Sequence, residues 1–138
     1  MNNKAGRIID RMMEGDAFSK WLGIKRVEEK EGFCKLQLTI RADMCNGMGI
    51  AHGGICFSLA DTALAFASNS HGREAVSIET SISYIKPLKT GDTIIATAIE
   101  QSLTNRLGNY HIEIHRPEGE MVAVFKGTVF RTEQYWEI

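Results

Sequence analysis

The sequence has few of the features that mark membrane-spanning, metal-binding or disulfide-rich proteins. Only two of its 138 residues are proline and three are cysteine, and no stretch reaches the roughly 18 apolar residues that a membrane span needs. Cys34, Cys45 and Cys56 form no CxxC pair, so we expect no metal site. Because Met1–Ala17 lacks the compact apolar run of a secretion signal and the cysteine count is odd, we expect reduced thiols and a cytoplasmic protein.

The sequence also lacks an excess of charge of either sign. Its 16 Lys+Arg and 17 Asp+Glu give a formal net charge of -1, so we expect neither nucleic acid nor a membrane surface as a partner. An apolar fraction of 43% and a charged fraction of 24% are typical of a globular domain and argue against disordered, collagen-like or coiled-coil chains. The length predicts one domain over residues 1–138.

Apolar periodicity divides the chain into helical and extended segments. The N-terminal part is predicted to be a short amphipathic helix ending near Gly15, with a second turn through Phe18–Leu22. A period of two predicts the strands Ile24–Glu29, Phe33–Ile40, Ala75–Ile85, Thr93–Leu103, Asn109–His115 and Met121–Arg131. The short turns between the last four strands, from Ala75–Ile85 onward, predict an antiparallel meander.

The segment Gly54–Asn69 is predicted to be the one long helix, and it is buried because apolar residues occupy most of its circumference. One such helix with about six antiparallel strands predicts an α+β fold, with the helix on a sheet face or wrapped by the sheet. A sheet of this size has two edges that need cover. Pairing one edge with the same edge of a second copy is a common solution, so we expect a homodimer.

The residues that carry chemistry are clustered around the start of this helix, as Asn46, His52, Gly53, Gly54 and Asp61. The free N–H groups of a first helical turn, with the helix dipole behind them, attract an oxygen that gains negative charge. Glycine allows a ligand to approach that backbone closely. Asp61 is the one acidic residue between Asp43 and Glu74, and a carboxylate in a buried helix is a candidate base or nucleophile.

Gly53 and Asp61 are too far apart along one helix to act on the same atom. Eight residues span about 12 Å at the usual rise, whereas an oxyanion donor and a nucleophile must meet one carbon within about 3–3.5 Å. Two helices packed antiparallel across a twofold axis would bring Gly53 of one chain to Asp61 of the other. We therefore predict two active sites per dimer, each shared between subunits.

Each of these residues also has a purely structural interpretation. For Asp61 it is a carboxylate that accepts a hydrogen bond from backbone or from Ser58, and for His52 it is a residue that holds its loop. Asn46 beside Gly47 is typical of a turn. The cluster favours the chemical interpretation more strongly than any of its members does alone.

Three runs of the sequence resemble one known family. They are NGMGIAHGGICFSLADTA from Asn46, AVSIETSISYIKP from Ala75 and GDTI from Gly91. The match is to the hotdog-fold acyl-CoA thioesterases, and within them it looks closest to the phenylacetate-degradation (PaaI-type) branch. The resemblance implies a long central helix wrapped by a curved antiparallel sheet of about six strands. It also implies a homodimer, often a homotetramer, that hydrolyses acyl-CoA to a free acid and CoA without a cofactor, since CoA is part of the substrate.

The resemblance also implies roles for individual residues. Asp61 would activate water or attack the thioester carbon, and the Gly53 amide would polarise the thioester carbonyl from the opposite subunit. His52 and Asn46 would orient the loop and the reacting groups, and Ser77 would hold the water beside the acid. The remaining candidates for substrate binding are Gly54, at the same helix start, and three cations for the CoA phosphates, Lys86, Lys89 and Arg106.

Several alternatives stay open at the level of sequence. The alternative for Ser77 is ordinary strand packing, and the alternative for the three cations is solvated surface charge. The branch favours phenylacetyl or hydroxyphenylacetyl groups, although medium-chain acyl groups would fit a similar pocket. A non-catalytic acyl-CoA sensor or carrier, or a hotdog hydratase or dehydratase, would keep the same fold.

Overall fold

A long helix lies against one face of a six-stranded antiparallel sheet in the computed structural model of the chain. The structure describes residues 3–138, so residues 1 and 2 of the predicted domain lie outside the described residues. The helices are α1 (Lys4–Glu14), α2 (Ala17–Leu22) and α3 (Gly53–Asn69), with a short 3-10 turn at Ala42–Met44. The strands are β1 (Lys25–Lys30), β2 (Phe33–Thr39), β3 (Arg73–Tyr84), β4 (Thr93–Leu103), β5 (Leu107–His115) and β6 (Met121–Tyr135).

The strand order across the sheet is β1-β2-β4-β5-β6-β3. Strands β4, β5 and β6 form the predicted meander, but the prediction is wrong for the strand at Ala75–Ile85. That strand, β3, pairs with β6 and not with its sequence neighbour β4. In the sequence, α3 and β3 lie between β2 and β4. In the sheet, β2 pairs directly with β4, and β3 is the edge strand beyond β6.

The core lies between α3 and the sheet face that it covers. Alternate residues of β2 and β4 point into it, as the period of two predicts. These fully buried side chains include Cys34, Leu36, Leu38, Ile94, Ala96 and Ala98. They meet a helix whose own apolar side chains are buried over most of its circumference, in agreement with the predicted buried helix. Within residues 3–138, no helix is long and apolar enough to cross a membrane.

The two N-terminal helices pack beside α3. Asn3 caps α1 by accepting a hydrogen bond from the Gly6 amide at 2.6 Å, and Asp16 caps α2 through the Ser19 amide at 3.0 Å. The buried Ser19 hydroxyl also lies 3.2 Å from the Thr62 hydroxyl. The second helix is therefore tied to the central helix next to Asp61.

The sheet has two edges with different surfaces. At one edge, β1 carries the charged sequence KRVEEK, a composition that discourages pairing with another strand. At the other edge, β3 exposes the apolar side chains of Val76 and Ile78 to more than half of their full extent. The β3 edge is thus the one suited to a partner.

Candidate active site

The first turn of α3 presents unpaired backbone donors. His52 precedes the helix in an extended conformation with no side-chain cap. Its own amide donates to the Met44 carbonyl at 2.9 Å, and its carbonyl accepts from the Ile55 amide at 2.9 Å. Within residues 3–138, neither the Gly53 nor the Gly54 amide donates to a backbone or side-chain acceptor. The positive end of the helix dipole is therefore open at the two glycines.

The loop that leads to this turn is held by Asn46. The side-chain oxygen of Asn46 accepts hydrogen bonds from the amides of Met48 at 2.9 Å and Ile50 at 3.2 Å. The Asn46 amide donates to the Ile50 carbonyl at 2.8 Å. Asn46 thus has the turn-forming role that its sequence context indicates, and this role fixes the path of the chain toward His52.

A cavity of about 430 Å³ opens in front of the helix start. Its walls are largely apolar, and they include His52, Gly53, Cys56, Tyr84 and Lys86. Burial raises the pKa of the Cys56 thiol to about 11, so this wall residue is a neutral thiol at physiological pH. The cavity therefore combines an apolar lining with free backbone donors, a combination typical of small-molecule sites.

Asp61 lies on the one stripe of α3 that its own chain leaves open. The stripe contains Gly54, Phe57, Ser58, Asp61 and Ala65, which share a face at helical spacing. Burial raises the pKa of the Asp61 carboxyl above its usual range. Among the hydrogen bonds of the described residues, none reaches this carboxylate, from Ser58 or from any other donor. The structural interpretation of Asp61 therefore has no partner in the fold to support it.

One chain does not bring Gly53 and Asp61 together. Both lie on the continuous helix α3, eight residues apart, or about 12 Å along its axis. Within one protomer the free amides and the unpaired carboxylate are separate half-sites.

Ser77 lies beside the same stretch of helix. Tyr84, at one end of β3, contacts Gly53, while Ala75, near the other end, exchanges hydrogen bonds with the Asn69 side chain. Helix and strand are therefore antiparallel neighbours. Ser77 pairs with Val129, which is buried beneath α3, and directly paired residues share a face of the sheet. Ser77 consequently faces the helix side, and its side chain is exposed.

The three candidate cations lie in different places. Lys86 lines the cavity beside Gly53. Lys89 is bridged to Ile50 through the backbone, behind the same loop. Arg106 lies in the β4–β5 turn, where it pairs with Glu133 at 3.1 Å. This turn is next to Arg73 at the opposite end of β3, so Arg106 does not reach the cavity of its own protomer.

Tyr84 lines the cavity although the sequence analysis assigns it no role. A Cβ placed on Gly53 would lie 2.7 Å from both the Cζ and the Oη atoms of Tyr84. The tyrosine therefore packs directly on the glycine of the helix start. No local pattern signals a contact between the start of a helix and a distant strand end, and the glycine at position 53 is its one indirect sign.

Residues 48–123 match the model of the thioesterase superfamily, which is more than half of the chain. The chain belongs to the thioesterase superfamily. Acyl-coenzyme A thioesterase PaaI of Escherichia coli is 41% identical over 131 residues, which are 95% of this chain and 94% of that protein. Human acyl-coenzyme A thioesterase 13 is 28% identical over 71% of this chain and 72% of its own length.

Solved structures give the same assignment for this thioesterase-superfamily chain. The structure of E. coli PaaI, from the phenylacetic acid degradation operon, superposes with a TM-score of 0.93 at 40% identity and covers 96% of each chain. A Streptococcus mutans protein solved bound to acetyl CoA has a TM-score of 0.79 at 26% identity, over 82% of this chain and 91% of its own. These similarities confirm the hotdog fold and the resemblance to the PaaI branch.

Proposed function

We propose that this chain is an acyl-CoA thioesterase that converts an acyl-CoA and water to a free acid and CoA. The observation that carries the proposal is the presence on α3 of two groups without a hydrogen-bond partner among the described residues. They are the backbone amides of Gly53 and Gly54 and the carboxylate of Asp61. The names of the E. coli and human relatives support acyl-CoA as the substrate. The S. mutans protein, which was solved with acetyl CoA, supports binding of the CoA portion.

The chemistry requires a base or nucleophile and a site for negative charge. Asp61 either removes a proton from water or attacks the thioester carbon itself. The carbonyl oxygen gains negative charge as the new C–O bond forms, and it accepts a hydrogen bond from the Gly53 amide. The C–S bond then breaks, and where Asp61 acts as the base, it passes the proton taken from water to the CoA sulfur as the free acid forms. Where Asp61 attacks, water then cleaves the acyl–Asp61 anhydride, which releases the free acid and the Asp61 carboxylate, and a proton of that water neutralises the CoA thiolate. A thioester is already an activated acyl group, so we propose that no cofactor takes part.

The separation of the half-sites supports a site shared across a dimer. Antiparallel pairing of β3 with the β3 of a second copy would extend the sheet and cover the apolar Val76 and Ile78. It would also place the open stripe of one α3 against that of the other. Gly53 of one chain and Asp61 of its partner would then face a common cavity, with Ser77 positioned to hold the water beside the acid. Two such dimers would form the expected homotetramer.

The same pairing gives the candidate cations a common location. In an antiparallel β3 pair, the Arg73 end of one strand lies beside the Tyr84 end of the other. Lys86 and Lys89 of one chain would then lie near the partner's Arg106, which no single protomer achieves. We propose that these residues meet the CoA phosphates. For the acyl group we propose phenylacetyl or hydroxyphenylacetyl, on the likeness to PaaI and the apolar cavity.

The test is release of free thiol from a panel of acyl-CoAs, comparing the wild type with Asp61→Asn. We expect the wild type to release thiol and Asp61→Asn to lose at least about 100-fold in rate while it still binds the substrate, since acid–base chemistry contributes about 10²–10⁴-fold. Asp10→Asn is the matched control, because Asp10 is an exposed acid on α1 that pairs with Arg26. Full activity in Asp61→Asn would remove Asp61 from the mechanism, and binding without turnover by the wild type would favour an acyl-CoA sensor.

A further inference from the structure

We propose that the Tyr84 hydroxyl is a second donor to the thioester carbonyl oxygen, acting beside the Gly53 amide. The inference rests on the proposed thioesterase function and assigns a further residue to its oxyanion site. It begins from the close approach between the end of β3 and the first turn of α3. In this arrangement a side-chain O–H and a backbone N–H face the same cavity.

The distances allow both donors to share one acceptor. The Tyr84 oxygen lies 2.7 Å from the position that a Cβ of Gly53 would occupy, and any Cβ lies about 2.5 Å from its own backbone nitrogen. The two donor atoms are therefore at most about 5 Å apart. One oxygen accepting hydrogen bonds of about 2.7–3.0 Å bridges donors up to about 6 Å apart.

The hydroxyl is also free to act. Among the hydrogen bonds of residues 3–138, none uses the Tyr84 oxygen, and the side chain is 55% exposed at the cavity. Burial of the hydroxyl and the neighbouring Cys56 raise the pKa of Tyr84 above its usual range. The phenol therefore keeps its proton at neutral pH and is available as a donor.

This arrangement gives the glycine at position 53 a second purpose. A larger residue would push Tyr84 away from the helix start, because its Cβ would overlap the end of the phenol ring. Glycine thus lets both the substrate and the hydroxyl approach the same amide. Tyr84 acts on the reacting atoms directly, whereas a merely packed tyrosine would act only through the position of the helix.

The test compares Tyr84→Phe, which removes only the hydroxyl, with Tyr135→Phe, the same change on an exposed tyrosine near the far end of β6. Turnover of acyl-CoA is measured first. We expect kcat of Tyr84→Phe to fall about 100-fold, as for loss of one oxyanion donor, with little change in KM because the bond strengthens in the transition state. Tyr135→Phe should behave as the wild type.

The second measurement is independent of hydrolysis. A ketone analogue of acyl-CoA, with CH₂ in place of sulfur and a ¹³C-labelled carbonyl, is bound to each variant and its carbonyl stretch is recorded by infrared spectroscopy. We expect a lower frequency in the wild type and in Tyr135→Phe than in Tyr84→Phe, because each hydrogen bond weakens the C=O bond.

The outcomes separate this proposal from the thioesterase proposal. An unchanged kcat or an unchanged carbonyl frequency in Tyr84→Phe would overturn the role of the hydroxyl, as would a rise in KM alone. If the wild type hydrolysed no acyl-CoA, the thioesterase proposal would fail and the infrared shift alone would decide on Tyr84. A wild type that neither hydrolysed acyl-CoA nor bound the analogue would overturn both proposals.

Discussion

Asp61 lowers the stability of the folded chain at neutral pH. Because burial raises its pKa above the ordinary aspartate value of 3.8, the ionised form is less favourable in the folded state than in the unfolded state. This penalty is fully present above the folded-state pKa, and it disappears as the pH falls below the unfolded value. Asp61, which we propose as the base or nucleophile, therefore makes the folded chain less stable.

Replacing this carboxylate should stabilise the protein. We expect Asp61→Asn to have a higher Tm than the wild type at pH 8, with a gain that shrinks as the pH approaches 3.8, since asparagine carries no charge to desolvate. Differential scanning calorimetry across this range measures the effect. In the control Asp10→Asn, which loses an ion pair with Arg26, Tm should not rise. An equal or lower Tm for Asp61→Asn at pH 8 would contradict the prediction.

At the scale of single residues, the sequence predicts those site residues whose role depends only on their own helix. Gly53 and Gly54 are predicted to offer free amides because they begin a helix, and in the part of the chain that the structure describes neither amide donates a hydrogen bond. Asp61 stands out in the sequence as an acid in an apolar helix, and no hydrogen bond of the described residues accounts for it. Tyr84 was missed because its contact with Gly53 joins distant parts of the chain.

The contact between α3 and β6 depends on the small size of Gly127. A Cβ at this position would lie 2.6 Å from the Leu64 Cδ2 atom and 3.4 Å from the Thr80 Cγ2 atom. Leu64 is fully buried, so its end has little room to move. Gly127 therefore sets how closely the central helix approaches the sheet.

Adding one methyl group here should loosen the helix from the sheet. We expect Gly127→Ala to cost about 1–3 kcal/mol, as overpacking in a core does, and chemical denaturation measures the loss. Leu64→Ala should cost less in the Gly127→Ala background than in the wild type, because the two positions compete for one space. Gly15→Ala is the control, since a Cβ there meets nothing within 4 Å. Additive effects of the two core changes would contradict this account.

At the scale of elements, the bounds of helices and strands followed from local periodicity. The central helix begins one residue earlier than predicted and ends at the same Asn69. The strand β6 continues to Tyr135, four residues beyond its predicted end at Arg131, because its C-terminal part pairs with the start of β3. This pairing, like the position of β3 outside the meander, joins segments far apart in sequence, and no local pattern encodes it.

At the scale of the whole molecule, the fold separates the two groups that we propose act together. Gly53 and Asp61 lie on one continuous helix of 17 residues, which keeps the distance between them fixed. Movement of other elements within one protomer therefore does not bring the two residues together. The open stripe of α3 and the apolar edge of β3 lie on adjacent surfaces of the same protomer. A partner that covered one surface would therefore also reach the other, so the proposed shared site makes activity depend on assembly.

A shared site predicts that two inactive variants restore activity when their subunits mix. Gly53→Ala lacks the close approach at the helix start, and Asp61→Asn lacks the carboxylate. In a mixed dimer, one site combines the intact Gly53 of one chain with the intact Asp61 of the other, and the second site carries both changes. After unfolding together and refolding at equal concentrations, half of the dimers are mixed and each has one working site. Thiol release should therefore return to about a quarter of the wild-type value. Each variant refolded alone should stay inactive, and a mixture that stays inactive although mass spectrometry detects mixed dimers would place the whole site within one chain.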